Sequence, residues 1–120
     1  MSTFKDLLAY KKAFTLAMKI FELSKKFPKE ETYSLTDQIR RSSRSVCANF
    51  AEAFRRRKYP AHFLSKLTDS DSENAETEVW LDFAFACKYL SQAEHIELKI
   101  DQAEAGRLLG DIIKFPEKYS

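Results

Sequence analysis

The sequence predicts an all-α protein, an up-down-up-down four-helix bundle with a long third helix. The 120 residues include only two glycines and three prolines, which leaves few positions for turns and favours long helices. In four successive stretches, apolar residues recur every three or four positions, which is the period of an amphipathic helix. Short connections between the stretches indicate antiparallel neighbours, and we expect one domain over residues 1–120.

The first predicted helix covers about residues 3–26. Thr3 and Asp6 have the spacing of a capping box at its start. Phe27 precedes Pro28, and the helix ends there because a residue before proline is pushed out of the α region. Apolar side chains cover more than half of its circumference, which is wider than contact with one pair of neighbouring helices requires.

The second predicted helix covers about residues 35–57, and Ser34 with Asp37 opens it. Its apolar residues lie on one side and its arginines on the other, so the basic residues form a face. Small side chains between the two sides, from Ser42 to Ala51, permit close approach of another backbone.

The third predicted helix begins at Pro60, which suits the first helical position, and runs to about residue 90 without internal glycine or proline. At about 1.5 Å per residue it would be a rod of roughly 45 Å. Asp71 and Glu78 lie on the same side as its apolar stripe, which predicts a polar layer inside the bundle. After Glu78 the helix is apolar on nearly every side, which predicts that it is covered on every side.

A fourth helix is predicted over about residues 92–114. Ser91 and Glu94 repeat the capping-box spacing, and the helix ends before Pro116. The sequence shows no internal repeat, low-complexity segment or second domain.

The second and third predicted helices carry opposite charge. Residues 35–58 contain seven basic and two acidic residues, whereas residues 59–82 contain six acidic residues and one basic residue. Such segments either neutralise each other when they pack together or leave a basic surface that can bind an anion such as nucleic acid. The net charge of +2 is too small to indicate nucleic-acid binding by itself.

An antiparallel hairpin of these two helices would pair part of the charge. If the chain turns near residues 58 and 59, residues whose numbers sum to about 118 lie at the same level. Arg40 is then level with Glu78, Arg41 with Glu76, and Arg44 with Glu73. Long arginine side chains can reach these carboxylates from a flank, so we expect structural ion pairs along this half of the hairpin.

The other cations form a basic cluster where the hairpin turns, consisting of Arg55, Arg56, Arg57 and Lys58. They are level only with residues 60–63, which include no acidic residue. We expect the basic cluster to contact nucleic-acid phosphates, with Tyr59 stacking on a base. An alternative of equal weight is that a basic helix terminus complements the helix dipole and aids solubility.

Apolar residues near the end of the third helix predict a subunit interface formed by Val79, Trp80, Phe83, Cys87 and Leu90. A ligand pocket is the alternative, but an aromatic stripe at helical spacing is more often core or interface. Together with the wide apolar sector of the first helix, these residues favour an oligomer, because exposed apolar patches of this size are rare on monomers.

No group of residues typical of an enzyme or a metal site is visible. His62 and His95 lack the glutamate three residues earlier that di-iron bundles use, and neither a glycine-rich phosphate loop nor a nucleophile elbow is present. Cys47 and Cys87 lack metal-ligand spacing, so we expect two buried, reduced thiols. No apolar run is long enough to span a membrane. We therefore expect a cytoplasmic, non-enzymatic protein without a cofactor.

Several motifs resemble one bacterial family, the four-helix-bundle proteins first noticed as reading frames within intervening sequences of large-subunit ribosomal RNA genes. The run Gln38-Ile39-Arg40-Arg41, followed by Ser45-Val46-Cys47-Ala48-Asn49-Phe50-Ala51-Glu52, is similar to the family signature. Residues 66–69, 76–84, 106–110 and 115–118 are similar to that family too, so the likeness extends along the whole chain.

The resemblance implies a four-helix bundle that assembles as a homopentamer. Its best-understood members are accessory proteins of diversity-generating retroelements, basic pentameric barrels that bind RNA and a reverse transcriptase, while most members have no assigned activity. The chain departs from the family pattern at Cys47, where proline is usual, and at Ala53, where glycine is usual. Both changes favour a straighter second helix.

Two functional hypotheses follow. The first is a homopentameric bundle that binds RNA or another nucleic acid without sequence specificity through the basic cluster, with a reverse transcriptase as a further potential partner. The second is a protein-interaction scaffold with no nucleic-acid role, in which the oligomer presents a docking surface.

Overall fold

The computed structural model describes residues 3–119, in which four α-helices are present: Leu8–Ser24 (α1), Leu35–Arg55 (α2), Pro60–Ala86 (α3) and Gln92–Lys114 (α4). Each helix packs against the next one along the chain, and α4 packs against α1. The helices thereby close a bundle of 44 × 25 × 24 Å. The predicted four-helix bundle is confirmed, and α3 is its longest helix, with 27 residues.

The first helix begins later than its cap predicts. The capping box of Thr3 and Asp6 forms, but it closes a 3₁₀ turn at Phe4–Asp6. Leu7 is extended (φ −73°, ψ 138°), so α1 begins only after it. The second predicted capping box, formed by Ser91 and Glu94, does start an α-helix, α4.

The end of α3 lies four residues before the predicted one because Lys88 adopts a left-handed conformation (φ 67°). The Lys88 N–H donates to the carbonyl of Phe85 at 2.9 Å, and the Tyr89 N–H donates to the carbonyl of Ala84 at 2.9 Å. These two bonds form a Schellman motif in which lysine occupies the position where glycine is usual.

Two apolar clusters fill the bundle, one towards each end. The first contains Phe50 and Phe63 and lies near the turn from α2 to α3. The second contains Ile20, Ile39 and Leu81 and lies towards the opposite end. Buried polar side chains lie between the clusters: Ser42, Ser43, Ser70, Asn74, Thr77 and Gln102.

The predicted polar layer is therefore present, but Asp71 and Glu78 are not in it, since both are exposed. Its uncharged members bond across the helices. Thr77 Oγ1 donates to Ser42 Oγ at 2.9 Å, and Asn74 Nδ2 donates to the Gln102 carbonyl at 3.1 Å. Hydroxyls and amides can be buried once they find such partners, whereas a buried carboxylate costs much more.

Both positions where α2 departs from the family pattern lie within one continuous helix. Ala53 has no exposed surface, so its methyl group is accommodated in the core. Cys47 is half-buried, and burial raises the pKa of its thiol to about 11. Cys87 is exposed, so the expectation of two buried thiols is wrong for this residue.

Candidate nucleic-acid interface

The basic cluster lies at the end of the bundle where α2 leads into α3. Arg55 is the last residue of α2, Arg56 caps that helix, and Tyr59 caps the start of α3. Arg57 and Lys58 lie in the turn, because α2 ends two residues before its predicted end. All five side chains are exposed, and within residues 3–119 none of the four cations forms a salt bridge.

The topology adds three exposed cations that the sequence analysis missed. Lys5 precedes α1, Lys114 ends α4 and Lys118 follows it, all at the end of the bundle that carries the basic cluster. They are distant in sequence, and only the predicted antiparallel order of the helices could have signalled them.

Basic character is concentrated at this end of the described chain. Its segments, 3–7, 55–60 and 114–119, contain seven cations and two carboxylates. The segments of the opposite end, 24–34 and 87–94, contain four cations and three carboxylates. We call the first of these the basic end.

A neighbouring lysine keeps the basic cluster from being neutralised. Lys66 Nζ lies 2.8 Å from Glu52 Oε2, the carboxylate of α2 closest in sequence to the basic cluster. The hydrogen bond from Lys66 is the main reason why the pKa of Glu52 is lowered, and attraction to Arg56 is a weaker cause. Glu52 is thus held by Lys66, and the arginines of the basic cluster remain available to another anion.

Tyr59 places an accessible ring beside these cations. The residue is 64% exposed, and its ring centre lies 6.1 Å from that of His62. A groove of about 290 Å³ opens on the same end of the bundle, lined by Thr3, Phe4, Ala51, Phe54, Arg55 and Arg57. Tyr59 does not line this groove, but an exposed aromatic ring and a basic groove at one end of a protein are features that single-stranded nucleic acids bind.

Comparison with known proteins assigns the chain to a family. The model of the 23S rRNA-intervening sequence protein family matches residues 5–111. The chain belongs to this family. The chain is also similar to a solved structure, a protein of unknown function from the S23 ribosomal protein family of Bacteroides thetaiotaomicron. The two share 32% sequence identity and a TM-score of 0.81 over 92% of this chain and 98% of that chain. No curated protein gave a significant match.

The predicted ion pairs between α2 and α3 are wrong, although the predicted register holds. The Thr77–Ser42 bond places α3 against α2 at nearly the expected level. Arg40, however, donates through Nε to Ser24 Oγ at 2.8 Å. Glu78 lies on the opposite flank of the hairpin, 3.4 Å from Lys99 of α4. Residues at one level still fail to meet when they lie on different sides of their helices.

The other two expected pairs also have different surroundings. The Arg44 guanidinium lies 5.5 Å from the centre of the Phe21 ring. Arg41 Nη1 lies 3.9 Å from Asp37 Oδ2, one turn away on α2. Burial raises the pKa of Glu73, a hydrogen bond with Glu76 raises it further, and attraction to Arg41 opposes both effects.

Four of the five predicted interface residues are accessible in the single chain. Val79 and Phe83 are 47% and 54% exposed, Cys87 is exposed, and Trp80 is half-buried. The end of α3 is therefore not covered on every side by its own chain, and its cover by a second subunit stays a prediction. Leu90 is only 4% exposed and packs in the core of its own chain, so its assignment to an interface is wrong.

Three of these accessible residues, Trp80, Phe83 and Cys87, border a groove of about 380 Å³ between the start of α2 and the end of α3. Its lining includes Trp80, Phe83, Leu35 and Gln38. Trp80 Nε1 is buried and has no hydrogen-bond partner in the described chain. A buried indole N–H usually has an acceptor, so the missing partner of Trp80 Nε1 within residues 3–119 is unusual.

A metal site, a free histidine and a membrane-spanning helix each place specific requirements on the described residues. Within residues 3–119, no three side chains of His, Cys, Asp or Glu are placed to hold a metal ion. His95 has a structural environment, since its ring stacks on Phe85 at 4.3 Å and its Nε2 lies 3.0 Å from Asp82 Oδ1. None of the described helices combines the length and the apolar character needed to cross a bilayer.

Proposed function

We propose that this chain forms a cytoplasmic, non-enzymatic homo-oligomer, a pentamer as the family resemblance implies, that binds RNA or another nucleic acid through the basic end. Arg55, Arg56, Arg57 and Lys58 contact phosphates in this proposal, and Tyr59 stacks on a base. The supporting observation is the group of exposed cations at one end of the bundle without salt-bridge partners within residues 3–119.

The helix-dipole alternative explains only part of the basic end. Arg55, Arg56 and Lys114 lie at the C-termini of α2 and α4, where cations are favourable. Lys5 and Lys58 lie before the N-termini of α1 and α3, where the dipole disfavours positive charge. Their presence there favours an anionic partner, and an oligomer would repeat each weak phosphate contact in every subunit.

The test is the salt dependence of binding to a single-stranded RNA oligonucleotide. Each phosphate contact contributes about 0.7 to the slope of log K against log salt for single strands, so alanine at all four positions of the basic cluster should lower the slope by about 3. The matched control replaces Lys25, Lys26, Lys29 and Lys88 at the opposite end and should leave the slope unchanged. If the variant with alanine at all four positions of the basic cluster kept the mass of the wild-type oligomer and still bound RNA as tightly, this assignment would be refuted.

A protein-interaction scaffold is the second candidate, favoured by the exposed apolar residues Ile96 and Ile100 of α4. These side chains are 50% and 63% exposed, and they lie outside the basic end. A purified protein whose absorbance spectrum shows no nucleic acid, together with a captured partner that is lost in an Ile100→Glu variant, would favour this function over RNA binding.

A further inference from the structure

One side of the bundle is both aromatic and basic. This basic aromatic face runs along α1 and α2 and contains Tyr10, Phe14, Phe21, Arg40 and Arg44. Phe14 is 50% exposed, and its ring centre lies 6.1 Å from that of Tyr10. Arg40 and Arg44 lie 4.9 and 5.5 Å from the centre of the Phe21 ring. Neither arginine has a carboxylate within salt-bridge distance in the described chain.

A second side is both aromatic and acidic. This acidic aromatic face runs along α3 and contains Glu73, Glu76, Val79, Trp80 and Phe83. Within residues 3–119, neither glutamate forms a salt bridge. Glu76 is instead close enough to Glu73 to raise the pKa of that carboxyl, a second cause after burial. Two neighbouring acids, two exposed apolar side chains and the half-buried Trp80 ring therefore share this surface.

We infer that the basic aromatic face of one copy binds the acidic aromatic face of the next copy. The inference rests on the proposed homo-oligomer and identifies its contact. Each face carries an excess of one charge whose named members, Arg40 and Arg44 on one face and Glu73 and Glu76 on the other, form no salt bridge within residues 3–119, and the two excesses are opposite. A contact of either face with itself would place like charges together, which disfavours a two-fold dimer. Two different complementary faces give a head-to-tail arrangement, which forms a ring where the rotation between neighbours closes and a filament where it does not. The proposed pentamer is the closed case.

The heights of the two faces determine how neighbouring copies are oriented. The Thr77–Ser42 bond sets the register, and by that register Arg40 is level with residues 78 and 79 and Arg44 with residue 75. Both faces thus lie at similar heights along the bundle. Neighbours can join side by side without sliding and with their axes pointing the same way. Every basic end then lies on one side of the ring, as the proposed RNA-binding surface requires.

Charge reversal on each face tests this contact. Arg44 and Glu76 suit the test because both are exposed and neither forms a salt bridge in the described chain. Arg44→Glu alone and Glu76→Arg alone should each raise the concentration of half-assembly about a hundredfold, since each brings like charges together. The double variant restores opposite charges and should assemble within about tenfold of the wild type. Lys12→Glu, on the side of α1 away from both faces, is the matched control and should assemble normally.

Analytical ultracentrifugation over a range of concentrations measures the assembly, and circular dichroism confirms the helix content of each variant. Unchanged assembly of both single variants would overturn the inference, as would a double variant no better than the singles. Because recovery in the double variant requires folded protein, it separates lost contact from lost fold. A monomeric wild type would refute the inference together with the oligomeric part of the proposed function. An oligomer insensitive to charge reversal would refute the inference alone, and the RNA salt slope is measured independently.

Discussion

Replacing Lys88 by glycine should stabilise the fold. Lys88 has φ 67°, and the left-handed region costs a residue with a side chain about 1–2 kcal/mol. Glycine avoids this cost but loses about 0.5–1 kcal/mol more conformational entropy on folding. Lys88 is exposed and forms no salt bridge within residues 3–119, so little else changes. The expected net gain in the free energy of unfolding is about 0.5–1 kcal/mol.

This gain corresponds to a measurable shift in Tm. An unfolding entropy of about 2.1 cal/mol/K per residue amounts to about 0.25 kcal/mol/K for 120 residues, so Tm should rise by about 2–4 °C. Thermal unfolding followed by far-UV circular dichroism measures the shift. Lys88→Ala is the control, because alanine keeps the left-handed strain and should give no comparable rise. An equal rise in both variants would attribute the gain to charge removal and refute the reasoning from φ.

Two further predictions concern titrating groups. The hydrogen bond from Lys99, and secondarily that from His95, lowers the pKa of Asp82. Because its pKa is lower in the folded state, ionised Asp82 stabilises the protein at pH values above the unfolded pKa of about 4. This stabilisation is lost as the pH falls through the folded pKa. Asp82→Asn should therefore flatten the acid loss of stability in urea titrations, and an unchanged pH slope would contradict this. In a Cys87→Ser variant, Cys47 should react with a thiol reagent about a hundredfold more slowly when folded than in urea, because burial raises its pKa to about 11. Similar rates in both states would contradict that cause.

The sequence predicted the helices and their register well because these depend on local signals. Apolar period and prolines indicated four helices, and the turn near residue 58 gave the level of each residue on its neighbour. The predicted ion pairs are wrong because the height of a residue along its helix follows from the rise per residue alone. A contact between two side chains also requires that both lie on facing sides of their helices. Arg40 is rotated towards α1 and reaches Ser24, and Glu78 is rotated towards α4 and reaches Lys99.

The candidate site was predicted only in part for a similar reason. Arg55 to Lys58 are consecutive, so their clustering is visible in the sequence. Lys5, Lys114 and Lys118 join them only because α1 begins, and α4 ends, beside the turn between α2 and α3. Leu90 was wrongly predicted for a related reason. The sequence near a helix end does not show whether an apolar residue is buried by its own chain, as Leu90 is, or left exposed for a partner.

The polar layer between the two apolar clusters also keeps the helices from slipping past one another. A slide of α3 by one turn, about 5.4 Å, would carry Asn74 and Thr77 from their partners Gln102 and Ser42 into surroundings of leucine and isoleucine. Each buried polar group without a partner would cost about 1–3 kcal/mol. Two purely apolar clusters would tolerate such a shift far better. The polar layer thus favours one register of the four helices over registers that are shifted by a turn.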